Sequence, residues 1–467
     1  MTAQELKNSI LQLAIQGKLV EQRPEEGTAE ELYKQIQSEK AKLLKAGKIK
    51  KEKPLPEISE DEIPFEIPET WKWCKITDCG NFISGYTPKN NDLSNCGMVP
   101  YFKVADMNTK GNELWMSITN NYLISKNPKT FFERTIVYPK NGGAVFTNKK
   151  RILKQDSVVD LNTGGFYPFK PLDLMYVYLF FSTIDFRHCS KGTALPTIDM
   201  EKMKKKLIPL PPLEEQKRIV AKIEEIFPHI ERFGELRSQL KNISEDLRKS
   251  ILQQAIQGKL VEQRPKEGTA EELYQQIQSE KAKLLKAGKI KKEKPYSTSA
   301  SYQEFPFDIP SSWYFVRFGE LMISRDSERI PVSTSERAKR AKIYDYYGAS
   351  GVIDKIDKYI FNEELLLIGE DGANLLSRST PIAFLAKGKY WVNNHAHVLA
   401  GCCGLNLKYV CYYINAISLA PYVTGTAQPK MNQENMNAIW IALPPLAEQK
   451  RIVAKIEELL PLCDKLK

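Results

Sequence analysis

SILQLAIQGKLVEQRPEEGTAEELYKQIQSEKAKLLKAGKIKKEKP, residues 9–54, returns almost unchanged as residues 250–295. The offset is 241, and only Leu13/Gln254, Glu25/Lys266 and Lys34/Gln275 differ. A second phrase repeats at another offset: LPPLEEQKRIVAKIEEIFP at 210–228 against LPPLAEQKRIVAKIEELLP at 443–461. Between the repeats lie two stretches, 62–209 and 304–442, with little mutual similarity. A shared frame carrying two different inserts is the plan of a chain that engages two different targets at a fixed separation.

The frame reads as helix. From Leu213 to Gly258 the apolar residues Ile219, Ile223, Ile226, Ile230, Phe233, Leu240, Ile243, Leu247 and Ile251 alternate steps of three and four, with one step of seven. That is a coiled-coil seam, and Gly258 supplies its stop. Such a helix extends about 68 Å. Pro228 and Gly234 are expected to bend or loosen it. After the stop, Thr269 and Glu272 form a capping box for a shorter helix ending near Gly288, as Thr28 and Glu31 do in the first copy. Residues 446–467 match the first half of the long helix and residues 6–17 its second half. Brought together, the two termini therefore rebuild a second helical unit, which implies a pseudo-twofold and antiparallel helices.

Each insert opens alike, PFEIPETW at 64–71 and PFDIPSSW at 306–313, and closes alike, GTALP at 192–196 and GTAQP at 425–429. A tyrosine-rich helix precedes each closure, with Leu174, Tyr176 and Val177 matching Leu407, Tyr409 and Val410. Shared edges and divergent middles predict one domain fold with two specificities. VPYFKV, RTIVYP and GAVFT in the first insert, and LLLIGE, PIAFLA and YWVNNHAHVL in the second, read as strands. Turns fall at Asn141-Gly142-Gly143, Asp371-Gly372 and Gly388.

Polar side chains cluster at these turns. The first insert offers Ser84, Tyr86, Thr87, Lys103, Asp106, Asn108, Lys149, Lys150, Arg151 and Thr193. The second offers Arg325, Tyr347, Ser350, Asp371, Asn393, Asn394, His395, His397 and Thr426. Arg and Lys suit guanine edges and phosphates, and Asn suits adenine. For any single one, an ordinary solvated loop residue is the competing reading. The run Lys202, Lys204, Lys205, Lys206 fits a phosphate backbone or a solvated helix face equally.

With 467 residues the chain has room for about three domains, and its formal charge of +11 favours a polyanionic partner. Eight scattered cysteines without a CxxC pair fit reduced thiols, and no apolar run reaches a membrane span. A soluble cytoplasmic protein is expected. His395 and His397 fall on one strand face as a possible metal pair, but no third ligand stands at supporting spacing, so no metal is expected. There is no P-loop, GxGxxG after a strand, HExxH or GxSxG, and the paired prolines lack the flanking residues of an amino-methyltransferase motif. No catalytic role is expected of this chain.

These phrases together (PLPPLEEQKRIVAKIEEIF, SILQQAIQGKLVEQRP, their echoes, the PFEIPETW pair, VPYFKVADMN, and YYGASGVIDKI…LLLIGEDGA…YWVNNHAHVL) resemble the specificity subunit of type I restriction–modification enzymes along essentially the whole chain. The resemblance implies an α+β fold: two mixed α/β target-recognition domains separated by a pseudo-twofold antiparallel coiled coil. Its boundaries are an N-terminal helical region 1–61, first recognition domain 62–209, central helical region 210–303, second recognition domain 304–442 and C-terminal helix 443–467. It implies that each domain reads one half of a bipartite site in double-stranded DNA. It also implies two methyltransferase subunits docked on the helices, and two motor–nuclease subunits joining for restriction. S-adenosylmethionine, ATP and Mg would then sit on those partners, with adenine N6 as the methylated atom and no cofactor in this chain. A coiled-coil adaptor gripping proteins with two heads is the alternative.

Overall fold

The computed structural model describes residues 1–51, 55–124, 130–192, 195–291, 305–425 and 428–466. The chain forms two compact units, Met1–Leu236 and Arg237–Lys467. One 44-residue helix, Leu213–Ile256, contributes its first half to one unit and its second half to the other.

The same helix pair is built twice. In the first unit the N-terminal helix, Ala3–Ile15, runs antiparallel to the first half of the central helix. Lys7 reaches Glu231 at 2.6 Å near one end and Gln22 reaches Glu215 at 2.7 Å near the other. Leu11 and Ala14 pack there with Ile219, Val220 and Ile223. In the second unit the sequence-equivalent stretch 244–256 runs antiparallel to the C-terminal helix, Leu446–Asp464. Ser244 donates to the Cys463 carbonyl at 2.7 Å and Arg248 pairs with Asp464 at 3.0 Å. Each terminal helix thus meets the complementary half of the central helix.

The central helix is continuous through Pro228 and Gly234. Two expectations about the frame are corrected. The periodic seam is buried only towards its ends, at Ile219, Ile223, Ile230 and Ile251, while Phe233, Leu240, Ile243 and Leu247 are exposed. The shorter helices, Ala29–Lys45 and Ala270–Lys286, begin after Thr28 and Thr269, but neither threonine side chain caps its helix. Instead the first amides of these helices, on Ala29 and Ala270, donate to the backbone carbonyls of Thr70 and Ser312 at 2.9 Å. The PFEIPETW phrase therefore supplies an acceptor for one of the orphan donors at each helix start.

Helix ends and inserts are joined by glycine. Gly17 and Gly258 have φ of +70° and +71°, and a Cβ on either would lie 2.4 Å from the ring of Pro68 or Pro310. Only glycine combines that turn with that close approach.

Each insert is anchored by a two-stranded antiparallel ribbon, Lys72–Lys75 with Leu207–Leu210, or Tyr314–Arg317 with Trp440–Leu443. In the first insert a five-stranded sheet follows in the order Gly80–Ser84, Thr163–Pro168, Ile136–Pro139, Arg151–Leu153, Trp115–Met116. In the second, Ile323–Ser324, Ala396–Ala400, Leu365–Gly369 and Ala383–Ala386 repeat the first four places. Each insert carries a further four-stranded sheet: Leu93–Ser94, Tyr122–Leu123, Val99–Phe102 and Val158–Val159 in the first, and Gly351–Ile356, Tyr344–Gly348, Lys389–Val392 and Phe361–Asn362 in the second. The expected tyrosine-rich helices are present as Leu174–Thr183 and Leu407–Ala416.

Two strand expectations fail for local reasons. GAVFT at 143–147 is a 3-10 helix: Gly142 and Asn148 have φ of +77° and +56°, Val145 is buried, and Phe146 is exposed. YWVNNHAHVL is two strands, Lys389–Val392 and Ala396–Ala400, because the Asn393 side chain accepts from the His395 amide at 2.8 Å and turns the chain.

Candidate nucleic-acid interface

The repeated phrases make a joint between helix and insert, and it is the same joint in both units. Glu215, buried on the central helix, accepts from Trp71 Nε1 at 2.9 Å and Gln22 Nε2 at 2.7 Å. Glu448 accepts from Trp313 at 3.0 Å and Gln263 at 2.6 Å. Burial raises both carboxyls above their ordinary range, against the opposing pull of those donors. Gln216 and Gln449 accept from the amides of Asp173 and Asn406 at 3.0 Å, where the tyrosine-rich helices begin. Arg218 grips both oxygens of Glu26 at 2.7 Å, and Arg451 those of Glu267 at 2.9 and 2.6 Å. Each polar residue of LEEQKR and LAEQKR that recurs as Glu, Gln, Arg has a defined seat, which holds the insert in one orientation.

In the first insert the polar candidates gather along two connected edges. Ser84 and Thr87 are exposed, and the half-buried Tyr86 donates its amide to the Val159 carbonyl at 3.0 Å. Exposed Lys103 starts the 3-10 turn Val104–Asn108, its amide bonded to Asp106 at 2.7 Å, and its ammonium lies 5.9 Å from the Tyr101 ring. Burial raises the Asp106 carboxyl, opposed by the Lys103 amide. Lys149 donates to the Asn108 side chain, and Arg151 to the carbonyls of Lys150 at 2.7 Å and Met107 at 3.1 Å. Lys103, Asp106, Asn108, Lys149 and Arg151 therefore form one patch.

In the second insert exposed His395 pairs with Asp371 at 2.7 Å, beside exposed Asn394. Arg325 pairs with Glu328 at 2.7 Å and Glu363 at 3.1 Å. Tyr347 stacks on Phe384 at 5.9 Å, and exposed Ser350 sits in the turn between two paired strands.

Three candidates are buried and hold structure instead. Lys150 donates to the Ile184 carbonyl at 2.6 Å and Asn148 at 2.9 Å, closing the tyrosine-rich helix with a cation. Burial lowers its ammonium to about 7, partly offset by Asp185. In the second insert Arg378 plays this part, donating to the carbonyls of Ile417 at 2.7 Å and Ile414 at 3.2 Å. Asn393 makes the turn described above. His397 is buried between Asp326 and the Met431 carbonyl, so it shares no open face with His395. No group of three metal-ligating side chains occurs among the described residues. Thr193 and Thr426 lie outside the described residues.

The turns also bring in residues not singled out from sequence. The Gly142 amide donates to the Pro196 carbonyl at 2.8 Å, and the Gly372 amide to Pro429 at 3.0 Å, so the closing phrase of each insert lies against its glycine turn. Asn141 and Asn162 join the first turn, Lys430 and Arg329 the second. The Asn-Gly and Asp-Gly turns were the available signal.

The model for the type I restriction modification DNA specificity domain matches residues 68–242 and 310–467. The type I restriction enzyme EcoEI specificity subunit of Escherichia coli is 26% identical over 539 aligned residues, covering 99% of this chain and 90% of that protein. The EcoAI specificity subunit of the same species is 26% identical over 541, with 99% and 90% covered. The fold is similar to a chain from a structure concerning complex assembly and conformational transition of the type I R-M system, with TM-score 0.58, 17% identity, and 86% and 93% of the two chains covered. It is also similar to the HsdS subunit from Thermoanaerobacter tengcongensis, with TM-score 0.50, 16% identity, and 86% and 92% covered. No helix among the described residues is long and apolar enough to cross a membrane. Since the family model takes in both inserts and the helical segments that follow them, the chain belongs to the type I restriction modification DNA specificity family.

Proposed function

We infer that this chain is the DNA sequence-specificity subunit of a type I restriction–modification complex, each unit reading one half of a bipartite site. The observation that carries the reading is the pairing of one duplicated joint with two unlike sets of polar loops. A joint repeated bond for bond serves a common geometry, and loops that differ in most of their candidate residues serve different base sequences. Lys103, Lys149 and Arg151 offer donors to phosphates or guanine, and Asn108 and Asn394 offer the paired donor and acceptor that adenine requires.

Catalysis is assigned to partners: two methyltransferase subunits carrying S-adenosylmethionine and acting on adenine N6, and two ATP- and Mg-dependent motor–nuclease subunits. The central helix supports docking. Phe233 and Leu236 in the first unit, and Leu240, Ile243 and Leu247 in the second, are 45%, 43%, 43%, 56% and 43% exposed. Apolar side chains at coiled-coil spacing on an open helix face call for a helical partner.

The test is to replace residues 62–209 with the corresponding insert of a relative and map methylated adenines across the host genome. One half-site should change, with the other half and the gap conserved. A shift in both halves would refute the modular reading.

A further inference from the structure

His397 is the second residue of the strand Ala396–Ala400 and is buried in the second insert. Its Nδ1 lies 2.6 Å from Asp326 Oδ2 and its Nε2 lies 2.9 Å from the Met431 carbonyl oxygen. A carbonyl oxygen only accepts, so Nε2 carries a proton. An ionised carboxylate also only accepts, so Nδ1 carries one too, and the ring is an imidazolium. The two carboxylates beside it, Asp326 and Glu370, fit that charge, and both also face Arg329. Asp326 also takes the Val398 amide at 2.7 Å through its other oxygen. Glu370 lies 3.9 Å from the ring and is held by Arg329 at 2.7 Å and Lys430 at 3.2 Å. Arg329 further donates to the Ala396 carbonyl at 2.8 Å and lies 3.5 Å from Asp326.

The segments joined at this point carry the recognition candidates of the insert. Asp326 follows Arg325, Glu370 precedes Asp371, His397 follows Asn393–His395, and Met431 lies two residues past the closing phrase. The first insert lacks the device. Strand register places Gly164 where His397 stands: the Lys140 and Glu370 amides, each one residue before its glycine turn, donate to the carbonyls of Asn162 and His395, which lie two residues before Gly164 and His397. Its own histidine, His188, is a surface residue.

We propose that His397 is a positioning residue for DNA reading by the second unit: its cationic ring pins the recognition loops of that unit, and loss of the proton releases them. This rests on the reading of function given above. Burial by itself pulls the imidazole down, but the hydrogen bond and charge of Asp326, the Met431 carbonyl and Glu370 outweigh it and hold the ring above its ordinary value. For a raised histidine the stabilisation is complete below the unfolded value of about 6.5 and disappears as pH rises through the folded one. Half-site reading by the second unit therefore weakens on the alkaline side, through a transition that belongs to His397.

The chain contains four histidines, which makes nitrogen-15 NMR of labelled full-length protein decisive for the charge. One ring should titrate above free histidine, carry both protons below that transition, and vanish from the spectrum of His397→Gln. A neutral His397 ring would overturn the proposal. In the assembled methyltransferase complex, wild-type affinity for its DNA site should fall through the same titration. His397→Gln should bind about tenfold more weakly at low pH, for one lost charged hydrogen bond, and lack the His397 transition. DNA with the second half-site scrambled should lack it too. Identical pH profiles for wild type and variant would also overturn it. Should His397→Gln not fold, Asp326→Asn serves, with a downward move of the ring's titration expected and an unchanged one refuting. Absence of site-specific DNA binding at every pH would instead sink the functional reading, while the NMR result still decides the ring's charge.

Discussion

At the scale of single residues, the most consequential side chains are buried polar ones, and each has a partner whose removal leaves a cost behind. Trp71→Phe takes one of two side-chain donors from Glu215. It should lower the stability of the first unit by about 1–3 kcal/mol, as a buried carboxylate loses a bond. Urea denaturation followed by a probe in that unit checks this, and no change would mean the carboxylate finds water instead. Lys150 has the opposite pH logic to His397. Its pKa is lowered to about 7 by burial, so above that value the folded chain releases a proton that the unfolded chain retains until about 10.4. Stability of wild type relative to Lys150→Met should therefore rise between pH 7 and 10. A pH-independent difference would show that the ammonium stays charged in the fold. Lys150 was readable as cationic but not as interior, because Lys149-Lys150-Arg151 gives no cue to which of three adjacent cations turns inward. The Ile184 carbonyl that decides it stands 34 residues away.

At the scale of elements, local pattern carried the helices and failed at the short loops. The repeats marked both helix pairs, and Gly17 and Gly258 ended their helices as glycine does. GAVFT fell to its flanking left-handed residues, and the threonine caps to backbone carbonyls of a distant phrase. The capping carbonyls of Thr70 and Ser312 are too far along the chain for periodicity to reveal, whereas Gly142 and Asn148 stand directly beside GAVFT. The central helix also yields an element-scale prediction. Four residues inserted in the exposed stretch 235–242, just before Ser244, preserve the Ser244–Cys463 bond and lengthen the helix by about 6 Å. At about 3.4 Å per base pair, the unread gap should grow by about two base pairs with both half-sites unchanged. Methylome sequencing of cells carrying the insertion checks it, and altered half-sites with the old gap would show that the helix is no ruler.

At the scale of the molecule, an excess of eleven positive charges and two loop sets rich in Lys, Arg and Asn separate the DNA reader from a protein-gripping adaptor. A reader that neutralises six to ten phosphates should lose about 10³–10⁵ in affinity between 50 and 200 mM salt. Fluorescence anisotropy with a cognate duplex and the assembled complex measures that slope, and a flat response would favour the adaptor. Lys103→Ala and Lys149→Ala should each make the slope shallower without changing the preferred sequence, as phosphate contacts do.

The duplicated Glu–Trp–Gln joint has an economic consequence. Because both seats present the same acceptors and donors, a head that fits one is shaped to fit the other. A repertoire of n interchangeable heads then addresses on the order of n² composite sites. New vocabulary arises by shuffling words already in use, with no fresh tuning of the grammar that joins them.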